Sequence, residues 1–105
     1  MTTRAGSLVV INVFTPKPDA LDAFLTLQVE ALPKLRAGTT GSRGSRLYRA
    51  EDRSKLVMVS VFDTPEDFKR FSESEAFTAH RAKMLPHLES GQPGRYELVY
   101  EAGEV

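Results

Sequence analysis

Lys55–Phe71, KLVMVSVFDTPEDFKRF, reads as a strand that turns without a loop into a helix. Across Lys55–Phe62 the valines at 57, 59 and 61 alternate with Met58, Ser60 and Phe62, so both faces are apolar enough for a central strand. Asp63 or Thr64 is placed to cap the helix. Pro65 suits its first turn, where no N–H is needed, and Glu66 and Asp67 favour the positive helix start. Upstream, Val9–Phe14 (VVINVF) lines up with Val57–Phe62 (VMVSVF), 48 residues on, and it too runs into a proline-containing helix start. Two β-α halves, each with one further strand, predict the order β-α-β-β-α-β. That is an α+β, ferredoxin-like fold with a four-stranded antiparallel sheet and helices on one face.

A chain of 105 residues holds one such domain and no second. Its 14 basic and 14 acidic residues cancel, and no run of like charge offers a nucleic-acid or membrane footprint. With no cysteine, disulfides, thiolate catalysis and cysteine-based metal sites are excluded. The opening MTTRAGS lacks the apolar centre of a signal peptide, and nothing downstream approaches the roughly 18 apolar residues of a membrane span. The expectation is a cytoplasmic protein with neither nucleic acid nor membrane as partner.

In chain order, residues 1–7 are expected to be disordered, with the domain over 8–101 and a polar tail at 102–105. Leu8–Phe14 is the first strand: Val9, Ile11 and Val13 face one way, Val10, Asn12 and Phe14 the other. Both faces being apolar, one must be covered by something other than the helices, which predicts a homodimer packed sheet face to sheet face through valines 9, 13, 57 and 61. Pro18 is expected in the first turn of a helix whose stripe is Leu21, Phe24, Leu25, Leu27, Leu32 and Leu35, with Pro33 kinking or ending it near Ala31. RAGTTGSRG (36–44) reads as a loop, Ser45–Ala50 as a strand in which Leu47 and Tyr48 oppose, and Glu51–Ser54 as a hairpin turn. Ser74 is placed to cap a further helix from Glu75 to about Leu88, its inner stripe Phe77, Met84, Leu85 and Leu88, loosened by Pro86. Glu89–Gly94 reads as a turn and Arg95–Glu101, RYELVYE, as the last strand.

No phosphate loop, HExxH or GxSxG motif is present. The chemistry therefore rests on polar residues where the pattern expects apolar ones. Asn12 and Ser60 hold equivalent positions in the two halves, among Val10, Phe14, Met58 and Phe62. If the valine face meets a second subunit, they face a largely apolar space under the helices, as in a small-ligand site. The plainer alternative has them hydrogen-bonded to each other or to backbone. His80 and Arg81, at i+3 and i+4 from Phe77, offer a proton-transfer group and an anion contact. His87 lies seven residues beyond His80, too far for the close histidine pair of a metal site, so no metal is expected.

With LVVINVF, SRLYRAED, KLVMVSVFDTPEDFKRFSESEAFTAHRA and RYELVYE placed in this order, the chain resembles the antibiotic biosynthesis monooxygenase-like family of dimeric α+β barrel proteins. The resemblance covers about residues 8–101. It implies an oxidoreductase of monooxygenase type that oxidises an aromatic, polyketide-like or quinol small molecule without a cofactor, or else a haem-degrading protein. In the first group an Asn, a Trp and a Tyr are associated with activity, and the matching positions here are Met58, Phe62 and Phe68, without polar function. In the haem-degrading group Asn12 matches the first-strand Asn, Phe71 replaces a Trp, and Arg81 stands at the haem-ligating His with His80 one residue, a rotation of about 100°, earlier. The resemblance and the residues together put His80 and Asn12 as catalytic candidates, His80 as base and Asn12 or Ser60 holding an oxyanion. Ser60, Met58, Phe62, Phe68, Phe71, Arg81 and Phe14 form the substrate surface. Haem with His80 as axial ligand, a non-catalytic dimeric binding module and an isomerase or cyclase are the alternatives.

Overall fold

A computed structural model describes residues 7–104. The disorder expected for residues 1–6 lies outside the described residues; Ser7 is half-buried and leads into the first strand. The elements run β1 (Leu8–Pro16), α1 (Leu21–Ala37), β2 (Ser42–Arg49), β3 (Leu56–Phe62), α2 (Pro65–Ser72), α3 (Glu75–Met84), a 3₁₀ turn (Leu85–His87) and β4 (Leu88–Tyr96). The four strands form one antiparallel sheet in the order β2-β3-β1-β4, so the two half-repeats supply the central pair and the ferredoxin-like expectation holds. No helix among the described residues is long and apolar enough to cross a membrane.

The β1–β3 register pairs Val10 with Ser60, Asn12 with Met58 and Phe14 with Leu56, so the even-numbered side chains of both strands share the face under the helices. On that face the core is in two pieces. Phe14, Leu56, Phe24 of α1 and Met84 of α3 form one cluster, with the Phe14 and Phe24 rings edge-on at 5.1 Å. Leu8, Val10 and Phe62 form the other, closed over by Phe68 and Phe71 of α2. Met58 packs against the first cluster, while Asn12 and Ser60 belong to neither, and the gap they leave positions the site. The opposite face presents half-buried Val9, Ile11, Val13, Val57 and Val59, whereas Val61, expected to meet a second subunit, is already buried within the chain.

The helix caps follow the sequence. Thr64 Oγ1 accepts the Asp67 N–H at 3.1 Å, and Ser74 Oγ accepts that of Phe77 at 3.1 Å. Gly41 adopts φ +82° under α2, where a Cβ would overlap the Asp67 carboxylate.

Several boundaries differ from expectation. The last strand is Leu88–Tyr96, not Arg95–Glu101, and Glu89–Gly94 is strand rather than turn. Pairing decides this: Tyr96 already faces Val9 near the start of β1, so RYELVYE has almost no neighbour left beyond Tyr96, and residues 97–104 are exposed outside any strand. Pro93 and Gly91 are tolerated because β4 is an edge strand, bonded to β1 only. Pro33 does not end α1, which continues to Ala37. Pro33 and Val29, whose carbonyl loses its partner, are both exposed, so that carbonyl is open to solvent and the helix tolerates the proline. Pro18 lies in the turn before α1, with Asp19 at φ +63° and Ala20 at the N-cap, and β2 begins at Ser42 rather than Ser45. The helix after Ser74 closes at Met84, where Pro86 turns the chain into the 3₁₀ segment and leaves Leu85 exposed, outside the inner stripe.

Candidate functional site

Between the sheet and the helices lies a cavity of about 490 Å³, within the range of small-molecule sites. Its floor is the even-numbered face of β1 and β3: Val10, Asn12, Phe14, Met58, Ser60 and Phe62. Its roof comes from α2 and α3, with Phe68, Phe71, His80 and Arg81. All nine residues singled out from the sequence therefore line one cavity. Phe62, Phe68, Phe71 and Phe77 form a chain of ring contacts along one wall, with centroids 4.8–5.6 Å apart. Such a wall favours a flat aromatic guest, since stacked and tilted ring pairs attract beyond their buried area.

The polar groups in this apolar setting are few. Asn12 Oδ1 is buried with no hydrogen-bond partner in the protein, so the pairing with Ser60 allowed by the sequence is not made through that atom. An amide oxygen accepts, and so requires a donor; to hold an oxyanion the amide would have to present Nδ2 instead. Ser60, on the same floor, carries a hydroxyl that donates.

His80 is buried, with 6% of its surface exposed, at i+3 from Phe77 and i−4 from Met84 on the inner side of α3. Its Nε2 lies 2.6 Å from Oε1 of Gln28, itself only 2% exposed, on α1. Burial, with a smaller effect from the Lys83 ammonium, holds the imidazole below its usual pKa of 6.5, so the ring is neutral at pH 7. A neutral ring facing an amide oxygen donates from Nε2, and the Nδ1 lone pair is then the proton acceptor. Arg81, next on the helix, is exposed at the cavity edge, as the 100° step between successive helical residues requires.

Gln28 is the site residue that sequence reading missed, although its signal was present. It stands one turn from both Phe24 and Leu32 on the apolar stripe of α1, a polar residue where the spacing calls for an apolar one. Tyr48, Tyr96 and Tyr100 are exposed, and none lines the cavity. No cluster of three or more histidine, aspartate or glutamate side chains able to hold a metal occurs among the described residues.

Solved structures share this architecture. SnoaB, a cofactor-independent oxygenase from Streptomyces nogalater, superposes with a TM-score of 0.84 at 20% identity, over 95% of this chain and 100% of its own. Rv0793 from Mycobacterium tuberculosis gives a TM-score of 0.80 at 23% identity, over 92% and 99% of the two chains. SO0527 from Shewanella oneidensis gives 0.79 at 18% identity, over 90% and 93%. A comparison with curated protein sequences finds no match. At these identities the structural likenesses establish the fold alone. The sequence itself matches the family model described as antibiotic biosynthesis monooxygenase over residues 7–83, a span that holds both half-repeats and His80, and the chain belongs to that family.

Proposed function

We propose that the protein is a cofactor-independent monooxygenase that oxidises a phenolic or hydroquinone-type aromatic molecule bound between sheet and helices. The observation that supports this most is the phenylalanine-walled cavity into which a neutral, buried His80 is set opposite Asn12 and Ser60. Activated aromatic carbon acids react with O₂ once deprotonated, so the protein's task is to remove a proton and steady the resulting charge. In the keto, anthrone-like tautomer of such a phenol a ring carbon ortho or para to the oxygen is a CH₂; His80 Nδ1 takes a proton from it, and Ser60 donates to the oxygen over which the negative charge spreads. The carbanion transfers an electron to O₂, and recombination forms a C–O bond and a peroxide, protonated by the imidazolium. Loss of the remaining C–H proton and cleavage of the O–O bond then leave a carbonyl and water. The carbon is oxidised by four electrons and O₂ reduced by four, one oxygen atom going to each product.

Haem does not suit these residues. His80 is the imidazole on the cavity wall, its Nε2 is engaged by Gln28, and the chain has no tryptophan. The same proposal includes a homodimer through the valine face, where Ile11 pairs with Val59 and Val13 with Val57, all half-buried in the single chain. Elution as a monomer at micromolar concentration, checked by light scattering, would refute the dimer.

Oxygen uptake measured against a panel of hydroquinones and anthrone-like phenols tests the chemistry. The expected result is uptake by wild type with release of one water per carbonyl formed, falling by roughly 10²–10⁴ in His80→Ala, the contribution of a positioned general base. Uptake that survives this substitution removes His80 from the mechanism. A Soret shift on adding haem would overturn the cofactor-free reading.

A further inference from the structure

We infer that Gln28 is a positioning residue for His80: by accepting the Nε2 proton across 2.6 Å it holds the imidazole in one tautomer and leaves the Nδ1 lone pair as the acceptor. The pair joins α1 to α3 across 52 positions of sequence, and both side chains are nearly inaccessible to water. In that setting an unpaired Gln28 oxygen or an unpaired Nε2–H is strongly disfavoured, so the two groups hold each other in place. A neutral histidine in water mixes its tautomers and turns freely about its side-chain bonds. A base that must meet a substrate proton within hydrogen-bond reach can do neither. Gln is suited to the role because its amide supplies an acceptor without a charge. A carboxylate in its place would stabilise the imidazolium and keep the base protonated nearer to neutral pH. The charged group that acts on the ring is Lys83 on α3, and the charged groups that line the cavity with the ring are Arg81 on α3, Arg36 at the end of α1 and Glu89 on β4.

The catalytic part of this inference rests on His80 acting as base, but the tautomer is measurable without turnover. Long-range ¹⁵N–¹H NMR of histidine-labelled protein, with His87→Asn removing the other of the two histidines, reads the proton's position directly. In wild type above its titration, His80 is expected as the Nε2–H form. Gln28→Met, close in shape and with only a weakly accepting thioether in place of the amide oxygen, is expected to mix the tautomers and reduce kcat about tenfold or more, part of the roughly 10²–10⁴ supplied by a placed base. Gln28→Glu keeps an acceptor, so it should restore the single tautomer while moving the His80 titration and the acid limb of the pH profile upward. A wild-type His80 protonated on Nδ1, or a Gln28→Met protein with unchanged tautomer and pH profile, overturns the inference. If wild type consumes no oxygen with any substrate while the tautomer responds as stated, the oxygenase reading fails and the positioning pair stands.

Discussion

Asn12→Leu should make the protein more stable and less active. Asn12 lies mid-strand on β1, paired with Met58 on one side and Pro93 on the other, with Val10 and Phe14 as same-face neighbours, and its Oδ1 is buried without a protein partner. A buried acceptor left unpaired costs about 1–3 kcal/mol, whereas an apolar group of the same shape carries no such penalty. Leucine is isosteric in its branching, and the cavity beside it relieves the crowding that added bulk otherwise causes. The expected gain is about 1–2 kcal/mol, the lower part of that penalty, since residual hydration of the cavity returns some of it. In a domain of this size each kcal/mol raises Tm by roughly 4–8 °C. Urea unfolding at neutral pH should show a higher midpoint at unchanged m, and oxygen uptake should fall because the substrate loses its acceptor. An unchanged or lower midpoint would show that Oδ1 is satisfied in solution and that the reasoning from burial is wrong. Full activity in a stabilised variant would separate Asn12 from substrate binding.

Three further outcomes are expected. Because burial keeps His80 below 6.5 in the folded state, the unfolded chain binds its proton at higher pH; the associated stability is complete above about 6.5 and is lost as pH falls through the folded value. The slope of unfolding free energy against pH between neutrality and the carboxylate range should therefore be flatter in His80→Gln, and an identical slope would show that the ring is not held neutral. Thr64→Ala removes the α2 N-cap and should cost about 1 kcal/mol in chemical denaturation, with no change if the cap is replaced by solvent. Gly41→Ala, forced to a positive φ and against Asp67, should cost about 1–3 kcal/mol, and a neutral result would show that the turn relaxes.

Much of the site could be read before the structure because strand alternation assigns a face to each residue. Once LVVINVF and KLVMVSVF are strands, Asn12, Phe14, Met58, Ser60 and Phe62 must share one side, and the register confirms it. Placing His80 was harder, since helical spacing put both His80 and Arg81 near the stripe and only packing against α1 turned His80 inward. Gln28 escaped notice because a polar residue on an apolar stripe is informative only once its partner is known, and that partner lies 52 positions away. Local signals misplace the last strand because RYELVYE has good alternation while LESGQPGRY has proline and glycine. Local propensity could not reveal that β1 runs out opposite Tyr96.

The order of elements, the helix caps at Ser74 and at Asp63 or Thr64, and the apolar face of the sheet are properties of neighbouring residues, so the chain alone determined them. The two-piece core with a cavity at its seam, the strand that ends the sheet and the Gln28–His80 pair depend on groups distant in sequence meeting in space. Those were decided by tertiary packing, because periodicity states which side a residue faces but not what stands opposite it.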